Sequence, residues 1–399
     1  MKSNLIYFHR IHFPSASGQT IQVLRDYYAM SKNVGSVHLL YRSDRTLDRS
    51  QLNTLLFNYG AELTSTFSLH CITEGWFGKF RTKQKVIELI KLSEEPVIII
   101  TRTLDHTQAA IKIRSTMPSH LIKVIFELHE TAIPHMVYEE QNRKVKARLS
   151  LKQERHIFSK VDGILCTAPP QLTILNKKFP NHSPAAILPN NFDSSFFQFL
   201  PKVPVKKKRS TFHMRYAGQF SIWKNTDIMF ETLKYLPENF VIDIAGGKMG
   251  FEDFTKDMLF KLGQTHGVNS RINYVGFLSP TQVPSFLAEA DCLLLPLGNN
   301  VQSRFFTSPI KLFEYAASNV PMVVTRQPTT ASLIEDGVHA IMVKPNSPQD
   351  LATAVKYIAD NSETGRKLAK NAKEWVSQYA TYSRTEKYKK FLEMLIGIK

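Results

Sequence analysis

Phe305-Phe306-Thr307-Ser308-Pro309-Ile310-Lys311-Leu312-Phe313-Glu314-Tyr315 is the stretch on which the reading of this chain turns. Thr307 or Ser308 is suited to cap a helix, and Pro309 to stand in its first turn. Lys311 then joins that turn, so backbone N–H groups, the helix dipole and an ammonium converge on one spot. Such a spot holds an anion, a diphosphate for example. Glu314 follows by one helical step of three and shares nearly the same face. Beside a phosphate clamp, its carboxylate is placed to accept hydrogen bonds from a ribose or sugar. Taken alone, the same pattern equally describes an ordinary capped helix with a solvated Lys and Glu.

Working outward, the surrounding half alternates strands and helices. Arg215–Ala217 ends a strand at Gly218, and a loop containing Gln219 and Lys224 leads to a helix ending near Leu236. Phe240–Ala245 is a strand closed by Gly246-Gly247-Lys248, and a helix starts at Asp253. Ile272–Val275 and Cys292–Leu295 are strands flanking a helix over Thr281–Ala290. After the central helix come a strand at Pro321–Thr325, a helix near Thr330–Glu335 and a strand at Ala340–Val343. Helical patterns fill 347–397. The Gly246-Gly247 pair is a weak phosphate-loop signal, and no full G-x-G-x-x-G or Walker pattern occurs.

The first half carries the same alternation. Strands are expected at 4–8, 37–41, 96–101, 122–127 and 163–166, and a small-residue loop with Pro14, Ser15, Ser17 and Gly18 leads into a helix over 20–32. Gly18 lets the backbone approach a phosphate or sugar. His129, just past the fourth of these strands, lies where parallel α/β domains build their sites, as a general base or a hydrogen-bond donor; a structural histidine is the competing account. Residues 76–91 mix aromatics, bases and aliphatics at helical spacing. That helix either lies on a membrane surface or packs its apolar side on its own sheet. Tyr138–Lys160 reads as a long basic helix. Residues 199–210, with Pro201, Pro204 and the Lys206–Arg209 cluster, read as a solvated linker.

With 399 residues the chain exceeds what one core fills, since single cores stop growing at roughly 250–300 residues. Domains are expected at 1–198 and 199–380, with 381–399 a terminal helix packing back on the first. Three cysteines stand far apart without metal-ligand spacing, and Cys166 and Cys292 sit in apolar runs that make them buried free thiols. No apolar run reaches the roughly 18 residues of a membrane span and no signal pattern opens the chain, so a cytoplasmic protein is expected. Fifty-one Lys and Arg against 34 Asp and Glu leave a charge of +17, which suits a polyanionic partner, nucleic acid or an anionic membrane.

Leu188-Pro189-Asn190-Asn191-Phe192-Asp193, Tyr216-Ala217-Gly218 with Lys224, Ile244-Ala245-Gly246-Gly247, Tyr274-Val275-Gly276 and Thr307–Tyr315 followed by Pro321-Met322-Val323 resemble, in that order and spacing, a glycosyltransferase of the GT-B architecture, most like family 4. The resemblance covers nearly the whole chain. It implies two Rossmann-like doubly wound α/β domains facing across a cleft, and retaining, metal-independent transfer of a sugar from a nucleotide-sugar, with no cofactor. It also implies that Gly18, Gly218, Gln219, Lys224, Gly246, Thr307, Ser308, Pro309, Lys311 and Glu314 surround the donor, with Lys224 and the Thr307–Ser308 amides on its diphosphate and Glu314 on its ribose. His129, Lys224 and Glu314 are the catalytic candidates, His129 contacting the transferred sugar or acceptor. Two positions depart from the pattern. The first Glu of the family's Glu-x7-Glu is Phe306 here, and a position commonly Arg is Gln219; Arg304 and Arg326 are candidates to replace its charge, and the sequence does not show that either reaches the site.

Three functions follow from this reading. The leading one is a transferase acting on a glycan or lipid-linked acceptor in surface polysaccharide or glycolipid synthesis, held peripherally on the inner face of an anionic membrane. The second is a GT-B protein that binds sugar or nucleotide without turnover, motivated by Phe306 and Gln219. The third, nucleic-acid binding, rests on charge alone, because the bases are scattered and no recognition motif accompanies them.

Overall fold

The computed structural model describes residues 3–15, 17–43, 46–73, 75, 77–129, 131–134, 141–198, 200, 210–220, 225–247 and 252–397. The chain divides into two compact units. Met1–Pro189 and Thr381–Lys399 form the first, and Asn190–Ala380 the second. The break thus falls at Pro189/Asn190, ahead of the 199–210 stretch, because Asn190 donates its backbone N–H to Ser308 Oγ within the second unit (2.9 Å).

The first unit is a seven-stranded sheet. Its strands are β1 (Asn4–His12), β2 (Val37–Ser43), β3 (Phe67–Thr73), β4 (Val97–Thr101), β5 (Ile122–Leu128), β6 (Gly163–Cys166) and β7 (Ala185–Ile187), in the spatial order β3-β2-β1-β4-β5-β6-β7. Every pairing is parallel. Strands β1, β4 and β5 are apolar on both faces, as a parallel sheet covered by helices requires. Ile98 and Ile100 join one core with Tyr7 and Tyr27, whereas Ile99 joins the other with Phe8 and Ala110.

Strand β3 and the helix Arg49–Phe57 lie outside the sequence expectation. β3 is an edge strand carrying Ser68, His70 and Cys71 half-buried, so it shows no apolar run. The helix is announced by a capping box, in which Asp48 accepts from the Gln51 amide while the Gln51 side chain accepts from the Asp48 amide. The expected 76–91 helix runs over Gly78–Lys91 and buries Thr82, Val86, Leu89 and Ile90, so one side does pack on its own sheet. Phe77 and Phe80 stay exposed at 64% and 58%, an unusual state for two neighbouring phenyl rings.

The terminal helix Thr381–Ile396 belongs to this unit, and Tyr388, Phe391 and Leu392 enter its core. Arg384 fastens it. Its guanidinium pairs with Asp26 of the helix Gly18–Ser31 (2.7 Å) and donates to the Pro189 carbonyl (2.8 Å), with both charged side chains nearly inaccessible.

The second unit is a six-stranded parallel sheet. Its strands β8 (Phe212–Gly218), β9 (Phe240–Gly246), β10 (Ile272–Gly276), β11 (Cys292–Leu295), β12 (Met322–Thr325) and β13 (Ile341–Val343) lie in the order β10-β9-β8-β11-β12-β13. The order reverses between β8 and β11, and ligands of such sheets bind outside the carboxyl ends at that switch point. Helices expected near 330–335 and up to 236 are short pieces, Pro328–Ala331 and Ile228–Leu233. Cys166 and Cys292 are fully buried free thiols, as their apolar surroundings predicted. Among the described residues no helix is long and apolar enough to cross a membrane.

Candidate active site

The central helix forms over Ile310–Ala317, directly after a π-helical turn at Gln302–Phe306. Its register differs from the sequence expectation in one respect. Pro309 is the N-cap itself, with no side-chain cap bond, and neither Thr307 nor Ser308 caps the helix. Both hydroxyls are engaged elsewhere: Thr307 donates to the Gln302 carbonyl (2.9 Å), and Ser308 accepts the Asn190 amide (2.9 Å). Leu312 N–H donates to the Pro309 carbonyl (3.0 Å), and with no side chain capping the helix the Ile310 and Lys311 N–H groups are left for an outside acceptor. Leu312, Phe313 and Tyr315 anchor the inner face, Phe313 stacking on Trp375 at 5.8 Å. Burial of such side chains contributes about 1.5–3 kcal/mol each, which holds the helix N-terminus in place.

Lys311 lies back over the end of β8. Its ammonium is 5.3 Å from the Tyr216 ring centroid, in cation–π range, and a Cβ added to Gly218 would come within 2.1 Å of it. Gly218 therefore serves here as the seat of Lys311, and its φ of +149° suits glycine. Burial lowers the Lys311 pKa, with Glu314 one turn on opposing that shift. Holding the ammonium charged thus costs free energy that an incoming anion offsets. Glu314 is half-buried beside it.

Gly246 completes the floor. Its φ is +123°, the Gly218 carbonyl lies 2.2 Å from where its Cβ would stand, and its own carbonyl accepts the Tyr274 hydroxyl (2.8 Å). The next amide, Gly247, donates to Gly218 O (3.3 Å). Gly246→Ala sets a methyl against backbone in a disallowed conformation, a strain of about 1–3 kcal/mol. A thermal melt should fall accordingly, while far-ultraviolet dichroism stays unchanged.

The departures from the family pattern also have a place. Phe306 is 2% exposed, so its ring belongs to the core and offers nothing to a ligand. Gln219 is exposed next to Gly218, and its carbonyl accepts the Tyr216 hydroxyl (3.0 Å). Arg326 is ion-paired to Asp336, and the Arg304 guanidinium lies over the Phe305 ring at 5.3 Å. Lys224 lies outside the described residues.

Gly18 and His129 belong to the first unit, where Gly18 is the exposed first residue of the helix Gly18–Ser31, behind its Ser17 cap. His129 follows β5, with Nε2 3.7 Å from Glu127 Oε2. Burial, reinforced by Arg102, lowers its pKa and favours neutral imidazole, with Glu127 opposing. Tyr216, Asn190, Tyr274 and Tyr315 stand in the motifs quoted above without an assigned role; the Tyr315 hydroxyl accepts the Ala217 amide (3.2 Å). Tyrosines at strand ends carry no pattern of their own. Only their distance to Gly218, Gly246 and Lys311 makes them part of the site. Among the described residues no group of three or more His, Cys, Asp or Glu is placed to hold a metal ion.

Comparison with known proteins accords with this geometry. The model of the family glycosyl transferases group 1 matches residues 201–375, the segment that contains the Lys311 cluster. Alpha-D-kanosaminyltransferase of Streptomyces kanamyceticus is 30% identical over 114 residues, 29% of this chain and 28% of that protein. An uncharacterized glycosyltransferase of Methanocaldococcus jannaschii is 24% identical over 168 residues, 41% and 43% of the two chains. The matches thus span under half the length of these relatives. Likeness in fold extends further. The structure of Anabaena HepE in complex with UDP-glucose covers 99% of this chain and 100% of its own, with a TM-score of 0.72 at 15% identity. Sucrose-phosphate synthase of Thermosynechococcus elongatus covers 100% of both, with a TM-score of 0.77 at 14% identity. Residues 201–375 therefore resemble the glycosyl transferases group 1, within a chain that has the two-domain α/β fold of the GT-B glycosyltransferases.

Proposed function

We propose that the protein transfers a sugar from a nucleotide-sugar donor to a glycan or lipid-linked acceptor, with retention of configuration and without a metal, in cell-surface polysaccharide or glycolipid synthesis. One observation carries the reading: the Lys311 ammonium sits on Gly218 at an uncapped helix N-terminus, with Glu314 one turn behind it. Breaking the bond between the sugar's anomeric carbon and the diphosphate oxygen develops negative charge on that oxygen. Lys311 and the first-turn amides stabilise it, being preorganised in a partly buried site. Glu314 accepts the ribose hydroxyls, and Gly246 lets the donor approach the end of β9. Lys224 adds a second cation on the diphosphate. Gly18 gives the donor phosphate room, and His129 contacts the transferred sugar or acceptor. The acceptor hydroxyl attacks the anomeric carbon on the face from which the nucleoside diphosphate departs, and passes its proton to the departing diphosphate oxygen, so that configuration is retained.

The HepE structures with UDP and UDP-glucose make uridine donors the first to try. In a thermal-shift screen over the common nucleotide-sugars, one donor should raise the melting temperature, by mass action about 2.7 kcal/mol at a hundredfold excess over its Kd. Purified protein with that donor should then release nucleoside diphosphate, and Glu314→Ala should abolish this. Binding without turnover on any acceptor would favour the second reading, a sugar- or nucleotide-binding protein, which the buried Phe306 motivates.

Membrane docking is proposed for the helix Gly78–Lys91, where exposed Phe77 and Phe80 adjoin Lys79, Arg81, Lys83 and Lys85. Attraction of about 1 kcal/mol per base near an anionic surface makes such docking reversible. Sedimentation with anionic liposomes should show salt-sensitive binding, reduced several-fold when the four bases are neutralised. Undiminished binding would remove this helix from the assignment.

A further inference from the structure

The carboxyl ends of β1, β4 and β5 gather a second polar cluster, wholly within the first unit. Tyr7 pairs in register with Ile100, and Ile100 with Ile125. Two residues on come His9, Arg102 and Glu127, with His129 following, and Arg102, Glu127 and His129 all act electrostatically on His9. His106, from the first turn of the helix Leu104–Thr116, meets the His9 ring edge-on at 5.5 Å. Arg10 is close by, packed against Gly78. Lys79 and Asp105 pair with one another at 3.7 Å. Beyond that pair, Arg10, Arg102 and Arg384 act on the cluster, Arg384 being already paired with Asp26, and Glu127 is a carboxylate among them.

One nitrogen in this cluster, His9 Nδ1, is buried without a hydrogen-bond partner among the described residues, whereas His129 Nε2 faces Glu127 Oε2 at 3.7 Å. Leaving such a group unpaired costs about 1–3 kcal/mol. The surrounding charges show the sign of the missing partner. His9 is depressed to about 3, first by burial and then by His106, Arg102 and His129, and His106 is depressed by burial and Arg10. Glu127, although burial opposes it, is kept below the usual carboxylate range by His129, Arg102 and Arg384, and accepts the Tyr27 hydroxyl (3.4 Å). Its charge is thus already answered, whereas the imidazoles feel an excess of positive potential.

We infer that His9, Arg102 and His106 bind a phosphate group carried by the acceptor, with His129 turned to the hydroxyl that is glycosylated. Arg102 supplies the planar fork suited to a phosphate, the imidazoles donate to its oxygens, and Arg10 adds positive charge beside His106. This rests on the transferase reading. The acceptor is then either a lipid phosphate or diphosphate, or a phosphorylated sugar.

The test is nuclear magnetic resonance of the full chain labelled only in its histidine rings, titrated with inorganic phosphate. The His9 and His106 signals are identified by their loss in His9→Asn and His106→Asn. Saturable shifts of both are expected, unchanged in Lys311→Met and at least tenfold weaker in Arg102→Met, with Arg102→Lys intermediate. UDP binding by thermal shift should be kept in the Arg102 variants and lost in Lys311→Met, which shows that they fold and separates failure here from failure of the donor site. Farnesyl phosphate and glucose 1-phosphate form the next arms, and tighter binding of either over inorganic phosphate names the source. Absence of saturable shifts with all three probes, or equal shifts in Arg102→Met, would overturn the inference.

Discussion

Lys311→Met should lower kcat/KM for nucleotide-sugar by about 10²–10³, the usual cost of removing one preorganised charge from a developing oxyanion. Methionine keeps the length of the stem and its packing on Tyr216 and Gly218, so the fold should hold. Removing a partly buried ammonium also removes its desolvation cost, and the free variant should melt no lower than the parent. Ligand-induced stabilisation should nearly vanish. That combination, an unaltered apo melt with a lost ligand shift, distinguishes a clamp from a structural lysine. A melt lowered by several degrees with donor affinity intact would mean that Lys311 serves the fold.

The pH dependence has a definite sign. Because burial lowers the Lys311 pKa, the ammonium deprotonates at a lower pH than an ordinary lysine. A bound diphosphate favours the charged form and raises that pKa again, so nucleotide affinity should fall as pH rises through the free-protein value. Calorimetric titration of UDP from pH 7 upward should show proton uptake growing along that fall, and in Lys311→Met the dependence should be flat.

The second large effect concerns stability. Arg384→Met should destabilise the first unit by about 3–5 kcal/mol, because it leaves the Asp26 carboxylate buried without its ion pair and the Pro189 carbonyl without its donor. For a unit of this size that corresponds to roughly 10 °C in melting temperature. The double variant Arg384→Met/Asp26→Leu should recover much of the loss, since replacing both charges by apolar groups removes the orphaned carboxylate. Paired denaturant melts of the single and double variants measure this coupling. Additive losses would show that the pair is not what fastens the terminal helix.

How much of this was legible in the sequence differs from element to element. Buried parallel strands such as Val97–Thr101 announce themselves, because both faces must be apolar and the run is continuous. The edge strand Phe67–Thr73 does not, since only Phe67 and Ile72 are fully buried. The helix around Lys311 was readable from Pro309 and its spacing, but its first residue was not. Thr307 and Ser308 are cap-forming types that the tertiary structure employs in other bonds, and capping preference is too small an energy to override that. Phe306 carried a warning in the sequence, and its ring is buried at 2% exposure.

The sequence by itself determined the two α/β halves and the anion-seeking helix that opens with Pro309 and carries Lys311 and Glu314. Periodicity, glycine placement and local charge act over a few residues and are written directly in the chain. Only the tertiary structure decided where the Lys311 ammonium rests, above Tyr216 and in the space that Gly218 leaves, 93 residues before it in sequence. It alone also brought His9, Arg102, His106 and Glu127 to one end of a sheet whose strand order, β1-β4-β5, is not the order of the chain. The reason is physical. Seats for charges and clusters at strand ends are made by long-range pairing and burial, which no local pattern encodes.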